Sequence, residues 1–169
     1  KAMQKLPALL DSTGMLACGE DLGMIPATVP QVMDDLRILS LEIQRMPKSI
    51  EETFAHPANY PYLSVCTTST HDMNPIRAWW EEDREVTNDF WHMILGNQGE
   101  APYFCEPWIC RQILDQHVWS PAMLTILPLQ DWLSMDEQLR REDPNTERIN
   151  VPANSRHYWR YRMHLTLEQ

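Results

Sequence analysis

Residues 62–72 read YLSVCTTSTHD, an apolar stretch with β-branched residues that runs directly into a histidine and an aspartate. This composition predicts a buried strand over residues 62–70, with His71 and Asp72 just beyond its carboxyl end. An imidazole and a carboxylate in that position indicate either a cap for the next helix or a functional site.

Three further segments have the composition of strands. They are GMLACGE (residues 14–20), SLEIQR (residues 40–45) and AMLTILPL (residues 122–129). The first runs into two carboxylates, Glu20 and Asp21. A loop rich in Pro, Asn and Glu is predicted over residues 46–61, ahead of the strand at 62–70.

Helices are predicted between these strands. The chain opens on the end of a helix (residues 5–11), and apolar residues from 29 to 39 recur at helical spacing. NPIRAWWEED predicts a helix capped by Asn74, with Pro75 at its first position. Residues 84–120 are predicted to form two helical pieces, separated by the turn-rich sequence GNQGEAP.

Strands that are apolar almost throughout and alternate with helices predict an α/β chain with a parallel sheet. Four strands make either a small open sheet or half of an eight-stranded barrel. Polar groups follow three strand ends, at Glu20, at Asp72 and at Gln130 and Asp131, and barrels place their catalytic groups at that edge. An open doubly wound sheet typically adds a Gly-rich phosphate loop, which this sequence lacks. We therefore predict the C-terminal half of a (β/α)8 TIM barrel, as one domain over residues 1–169.

Each acidic pair also has a structural interpretation. Glu20 and Asp21 suit the N-terminus of a following helix, and His71 and Asp72 precede a predicted cap. Two such pairs on strand ends of one parallel sheet favour a shared cleft, because those ends converge. Cleavage or transfer of a glycosidic bond needs one carboxyl group that donates a proton and a second that is ionised.

The bulk composition argues against several partners. The formal charge is −10, and no run of Lys and Arg is long enough to follow a phosphate backbone, so no nucleic acid is predicted. No apolar run approaches the ~20 residues needed to cross a membrane. The cysteines follow no secretory signal and have no zinc-type spacing, which indicates a reducing cytoplasm. Cys18 and Cys66 are predicted to be small core residues.

Metal and serine-nucleophile chemistry are poorly supported. The six histidines form no H-x-x-x-H pair, and the adjacent residues His71 and Asp72 cannot easily both reach one ion, so no metal site is predicted. A serine hydrolase would need a G-x-S-x-G elbow, which does not occur. Most of the seven tryptophans are predicted to be core residues, with a minority available to contact sugar.

Four motifs occur in an order that matches one family. They are GEDLG (19–23), THDMNPIRAWW (70–80), ILPLQDWL (126–133) and ERINVPANSRHYWRYRM (147–163). Together they resemble the 4-α-glucanotransferases of glycoside hydrolase family seventy-seven, also called amylomaltases or disproportionating enzymes. AWWEED and HYWRYRM are similar to segments of the branch that moves glucosyl units between maltose and a glucan.

The resemblance implies a retaining mechanism that uses no cofactor and no metal. Glu20 is the implied general acid/base after the fifth barrel strand, and Asp72 is the implied transition-state stabiliser after the seventh. His71, Asp21 and Asn150 are the implied substrate contacts. The implied substrates are maltooligosaccharides or an α-glucan. Met73 and Ala153 depart from the family pattern, which affects substrate preference and loop geometry more than the reaction.

The same resemblance implies that the catalytic set is incomplete. The family nucleophile is an Asp in an Arg-x-Asp-His segment after the fourth strand, and no such segment occurs here. Since the chain opens on Lys1, we expect a missing N-terminal half of the same polypeptide, or self-association through open sheet edges. The chain alone is expected to be inactive. The alternative is a non-catalytic carbohydrate-binding or assembly half-barrel.

Overall fold

The computed structural model describes residues 1–23, 25–166 and 168. The chain divides into two compact units. The first comprises residues 1–67 and 119–126, and the second comprises residues 68–118 and 127–169.

The first unit is built on a parallel sheet. Its strands are β1 (Ser40–Ile43), β2 (Ser64–Thr67) and β3 (Leu124–Thr125), in that order across the sheet. A single parallel bridge between Cys18 and Leu39 adds a fourth segment beside the start of β1. Each segment lies next to its predecessor in the chain, as consecutive strands do in an α/β barrel. All four residues of β2 are buried, as expected of a central parallel strand.

The described residues of this unit include the α-helices α1 (Ala2–Asp11) and α2 (Val29–Asp35). The helical spacing that predicted α2 continues to residue 39, but the helix ends earlier. Arg37 adopts a positive φ of 55°, which breaks the helix, and Leu39 then enters the bridge to Cys18. Leu39 is fully buried, so its apolar side chain serves the sheet instead of the helix face.

The second unit is helical. It contains α3 (Ile76–Trp80), α4 (Arg84–Met93), α5 (Pro107–Val118) and α6 (Leu129–Leu133). The predicted break between α4 and α5 is confirmed, and Gly96 and Gly99 turn the chain there with φ values of 67° and 73°. Side chains with a Cβ adopt such angles with difficulty, so glycine fits these positions.

An aromatic cluster forms the core of the second unit. Trp80 and Phe90 are fully buried, and Trp79 and Trp91 meet them edge to face. The Trp80 indole nitrogen donates to the Pro102 carbonyl over 2.9 Å, which satisfies its one polar group. The prediction that most of the seven tryptophans are core residues is nevertheless wrong, since four of them are exposed: Trp108, Trp119, Trp132 and Trp159.

The prediction of a buried strand over residues 14–20 is wrong in its extent. Only Cys18 pairs with a neighbour there, and Met15 and Leu16 are 78% and 57% exposed. The placement of Cys18 in the core is also wrong, since the residue is exposed, whereas Cys66 is fully buried as predicted. An apolar run becomes a buried strand only where neighbours cover it, and in the described chain the Cys18 segment has its paired neighbour on one side.

The start of α3 and the extent of the strand predicted at 122–129 also differ from the prediction. Neither Asn74 nor Pro75 has its predicted place, because α3 begins at Ile76 with Pro75 at the N-cap position and no side-chain cap. The Asn74 amide instead donates to the Glu82 carboxylate over 2.9 Å. The first amide of α3, that of Ile76, instead donates to the buried carboxylate of Asp131 over 2.9 Å. The apolar run at 122–129 supplies a strand only at β3, since its last residue, Leu129, begins α6.

Candidate active site

Glu20 lies just after the bridged segment of the first unit and is exposed to solvent. The backbone before it is anchored on both sides of Cys18, because the Gly19 amide donates to the Leu39 carbonyl and the Leu39 amide donates to the Ala17 carbonyl. These bonds measure 2.8 and 3.0 Å. The Glu20 side chain is therefore accessible on a fixed backbone.

Asp21, the next residue, is 4% exposed and both of its carboxylate oxygens are engaged. Oδ1 accepts a hydrogen bond from the Leu41 amide of β1 over 2.8 Å, and Oδ2 accepts one from the Lys48 ammonium over 2.7 Å. The carboxylate thus ties the segment that carries Glu20 to the sheet. It bonds a strand amide and not a helix N-terminus, so the capping interpretation of Asp21 is wrong.

Lys48 joins two buried carboxylates. Its Nζ lies 2.7 Å from Asp21 Oδ2 and 2.6 Å from Glu42 Oε1, and Glu42 is only 8% exposed. The Ser40 hydroxyl donates to the same Glu42 oxygen over 2.7 Å. The three ionic side chains are among the residues that line a cavity of about 450 Å³ in the first unit.

Replacing Lys48 by Met should destabilise the chain by about 2 kcal/mol, because two poorly solvated carboxylates would then face each other without their shared cation. Urea denaturation followed by circular dichroism measures the change. Lys5→Met, at an exposed position of α1, is the matched control and should be nearly neutral. Equal stabilities of the two variants would show that the Lys48 ion pairs contribute nothing.

Asp72 lies in the second unit, in a cluster with Asn150. The Asn150 amide donates to Asp72 Oδ1 over 2.6 Å, and Asn150 itself is 4% exposed. The Arg148 guanidinium donates to the backbone carbonyl oxygens of both Asn150 and Asp72, over 2.7 and 3.4 Å. The carboxylate of Asp72 is therefore oriented by a buried amide while its side chain stays 51% exposed.

His71 completes this cluster. Its Nε2 lies 3.4 Å from Asp72 Oδ2, and its ring stacks at a tilt on Trp159, with the ring centroids 4.7 Å apart. Both the imidazole and the indole are more than half exposed. An open aromatic face beside an open carboxylate suits a sugar, which presents an apolar ring face and a rim of hydroxyl groups.

A buried carboxylate supports the loop that carries His71 and Asp72. Asp131 is fully buried, and its Oδ2 accepts hydrogen bonds from the Thr68 and Ser69 hydroxyls over 2.5 and 3.2 Å. Its Oδ1 accepts from the Ile76 amide. One side chain therefore holds both ends of residues 68–76.

Glu147 is a second buried carboxylate, and its pKa is raised chiefly by burial. Arg77 is the main influence that lowers this pKa. Smaller effects come from Asp131, which raises it, and from the Arg141 amide and His164, which lower it. Arg77 Nη1 lies 3.8 Å from Glu147 Oε2, too far for a strong hydrogen bond. Ionisation of Glu147 therefore costs more free energy in the folded chain than in the unfolded chain.

A raised folded-state pKa means that Glu147 favours folding most below the ordinary Glu pKa of about 4.3, and that this contribution is lost as the pH rises through the folded-state value. Glu147→Gln does not titrate, so its stability relative to the wild-type chain should improve as the pH rises from about 4 to 7. Urea midpoints of both proteins across this range measure the trend. A relative stability that is flat or falls with pH would contradict it.

The structure thus brings His71, Asp72 and Asn150 together within the second unit, and places Glu20 and Asp21 side by side within the first. Whether these residues contact sugar stays a prediction. Within the described residues, no group of three or more His, Cys, Asp or Glu side chains could hold a metal ion. No helix in the described part of the chain is long and apolar enough to cross a bilayer.

The sequence did not predict the roles of three residues that support the candidate site. Lys48 lies in the predicted loop at 46–61, and its only signal was the need of Glu42, in a buried strand, for a cation. Trp159 belongs to the motif at residues 147–163, but its position in the sequence gave no sign of a contact with His71. Arg148 is two residues from Asn150, and that proximity alone did not show its bond to the Asp72 backbone.

Comparison with solved structures defines the class of the fold. The chain superposes on an amylomaltase from Streptococcus agalactiae, solved in complex with acarbose, with a TM-score of 0.70 at 19% identity, over 96% of this chain and 31% of that one. An amylomaltase from Corynebacterium glutamicum gives a TM-score of 0.54 at 16% identity, over 85% of this chain and 24% of that one. The parallel sheet with helices is therefore part of an α/β barrel, which confirms the predicted fold class.

Sequence comparison identifies the family. The model of the 4-alpha-glucanotransferase family matches residues 1–166, so the chain belongs to this family. It is 44% identical over 167 residues to 4-alpha-glucanotransferase DPE2 of Oryza sativa subsp. japonica, and 32% identical over 171 residues to a 4-alpha-glucanotransferase of Chlamydia muridarum. These matches cover 99% and 97% of this chain but only 18% and 31% of the relatives.

Proposed function

We propose that this chain is the acid/base-bearing part of a 4-α-glucanotransferase, which transfers glucosyl units or α-1,4-glucan segments between maltooligosaccharides with retention of configuration. Glu20 is the general acid/base and Asp72 stabilises the oxocarbenium-like transition state. The nucleophile is a carboxylate from a different segment of the enzyme, since a retaining reaction requires a covalent glycosyl intermediate. The reaction takes place in the cytoplasm and needs no cofactor.

The Asp72 cluster is the observation that carries this proposal. Asn150 fixes one oxygen of the Asp72 carboxylate at 2.6 Å, which leaves the other directed toward His71 and solvent. A carboxylate held in this way accepts hydrogen bonds from sugar hydroxyls, and these bonds strengthen as positive charge develops on the ring. The stacked pair of His71 and Trp159 adds an apolar face beside it.

The exposure of Glu20 fits its proposed part in the reaction. In the first step its carboxyl group protonates the leaving glycosidic oxygen while the nucleophile attacks the anomeric carbon. In the second step the Glu20 carboxylate removes the proton from the acceptor hydroxyl, and that oxygen displaces the nucleophile. Asp21 and Lys48 take no part in proton transfer and hold the backbone that carries Glu20.

Two proteins test the proposal. One is the 169-residue chain alone, and the other is a hybrid in which this chain replaces the matching segment of the rice relative. Each is incubated with labelled maltose and a soluble glucan. We expect transfer by the hybrid and none by the chain alone. Transfer by the chain alone would refute the proposed external nucleophile, and a folded hybrid without transfer would refute the catalytic assignment.

Titration of the hybrid with maltooligosaccharide, compared with its transfer activity, separates the proposal from the non-catalytic alternative. The Asp72 cluster is complete within one unit, so weak sugar binding by the chain is compatible with both. A hybrid that binds sugar as tightly as the rice protein but transfers none would favour the carbohydrate-binding module.

A further inference from the structure

The second unit contains two buried thiols in contact. The sulfur atoms of Cys105 and Cys110 are 3.4 Å apart, and both residues are 0% exposed. A disulfide bond has a length of about 2.05 Å, so a closing movement of roughly 1.4 Å would join them. Neither residue belongs to the proposed sugar site.

The two thiols differ in their surroundings. Cys110 lies near the N-terminus of α5, which begins at Pro107, and its pKa is lowered chiefly by its hydrogen bond with Cys105. Burial acts in the opposite direction, and a hydrogen bond with Ser134 lowers the pKa further. Burial raises the pKa of the Cys105 thiol well above its ordinary value. Cys110 also lies in the first turn of α5, and helix N-termini favour the thiolate, which is the reactive species, so we assign Cys110 as the attacking thiol.

Cys105 lies in a short irregular segment that leads into α5. Residues 103–106 form neither helix nor strand, and Tyr103 and Phe104 are 60% and 56% exposed. Cys105 faces inward directly after them, and its carbonyl accepts a hydrogen bond from Arg140 over 2.9 Å. Because Cys105 belongs to an irregular segment and not to a helix or strand, a local movement of that segment exposes its sulfur to a small oxidant without unfolding the unit.

We propose that Cys105 and Cys110 form a reversible redox site, a dithiol that a small disulfide such as oxidised glutathione converts into an intrachain disulfide. The Cys110 thiolate attacks one sulfur of the oxidant and releases one glutathione thiolate. The Cys105 thiol then loses its proton and attacks the Cys110 sulfur, which releases the second glutathione. Two protein thiols are oxidised and one disulfide is reduced to two glutathione thiols.

The test uses the full chain and its own cysteines as internal standards. Trypsin cleaves after Arg84 and Arg111, so residues 85–111 form one peptide that contains both thiols, while Cys18 and Cys66 fall in separate peptides. The folded chain is incubated with oxidised glutathione at about pH 8, where thiolate forms. The reaction is stopped with acid when exposed Cys18 carries glutathione, and the chain is then denatured, alkylated and mapped by mass spectrometry.

We expect the 85–111 peptide to resist alkylation and to be lighter by two hydrogen atoms, and dithiothreitol to restore both thiols. Cys66 is equally buried, with its sulfur against the Ser120 and Thr125 hydroxyls, so it reports global unfolding and should still be alkylated. A doubly alkylated 85–111 peptide, glutathione on its cysteines instead of an internal bond, or oxidation that appears only together with modification of Cys66 would each overturn the proposal.

Single variants test the order of attack. Cys105→Ser should leave Cys110 as a mixed disulfide with glutathione, whereas Cys110→Ser should leave Cys105 reduced. The reverse pattern would overturn the assignment of Cys110 as the attacking thiol. The peptide map of the wild-type chain decides the existence of the site even if a variant fails to fold.

Discussion

Glu20→Gln in the hybrid enzyme is expected to lower the rate of glucosyl transfer about 10³-fold, within the range that one general acid/base contributes. Glutamine has nearly the same shape but can neither protonate the leaving oxygen nor remove the acceptor proton. Because the Glu20 side chain is exposed and its neighbour Asp21 makes the structural contacts, folding should be unaffected. The initial rate of label transfer and a thermal melt measure the two effects.

Glu52→Gln is the matched control for this substitution, since Glu52 is an exposed glutamate of the same unit. Its transfer rate should equal that of the unsubstituted hybrid. If Glu20→Gln retained more than about a tenth of the activity, the loss would fall well below a general acid/base contribution, and the role of Glu20 would have to be abandoned.

The double variant Glu20→Gln with Asp72→Asn tests whether the two residues serve one reaction. Groups that act on the same transition state lose activity non-additively, so the double variant should be little slower than the slower single variant. Fully multiplicative losses would indicate independent roles. A melt of each variant excludes unfolding as the cause.

Asp131→Ala is expected to destabilise the chain by about 4 kcal/mol, in the range for breaking a buried charged network. The substitution removes the acceptor of two hydroxyls and of the first amide of α3, all in a site from which water is excluded. It also leaves space where the carboxylate was. Urea denaturation followed by circular dichroism measures the loss.

Glu137→Ala, at an exposed position close by in the chain, is the control for Asp131 and should change stability by less than about 0.5 kcal/mol. A loss below about 1 kcal/mol for Asp131→Ala would show that the loop at 68–76 is held by other contacts. A partial loss of sugar binding at temperatures where the variant is still folded would support the link between Asp131 and the Asp72 cluster.

Strands buried on both faces were predictable from composition alone. β2 lies within the predicted strand at 62–70, because an uninterrupted run of apolar and β-branched residues has few alternatives. The run at 14–20 had a similar composition but forms one bridge, since strand formation also depends on what lies beside the segment. No property of residues 14–20 encodes that neighbour.

Contacts between residues far apart in the sequence could not be predicted from the spacing of residues along the chain. Asn150 and Asp72 are 78 positions apart and meet at 2.6 Å, and only the resemblance to a family placed both in one site. The capping prediction for Asn74 failed for a related reason. A distant buried carboxylate, Asp131, supplied the acceptor that local sequence assigned to Asn74. Tertiary contacts override local propensity in such places.

The sequence predicted that Glu20 follows the segment around Cys18 and that Asp72 follows β2 in the chain, but it did not predict the residues that support them. Lys48 comes from a loop with no periodicity, and its position follows from two carboxylates that burial deprives of water. In the other unit, the exposed ring of Trp159 packs on His71, and the sequence did not predict this contact either. Sequence motifs locate chemically active groups, whereas the geometry of folding selects the groups that orient them.

A crystal structure of the hybrid with a bound maltooligosaccharide measures most directly whether Glu20 and Asp72 serve one sugar. We expect the Glu20 carboxyl oxygen within about 3 Å of a glycosidic oxygen, and Asp72 within hydrogen-bond distance of the hydroxyls on the ring that carries the bond to be broken. An oligosaccharide bound at full occupancy with either carboxylate away from that bond and that ring would contradict the proposed chemistry.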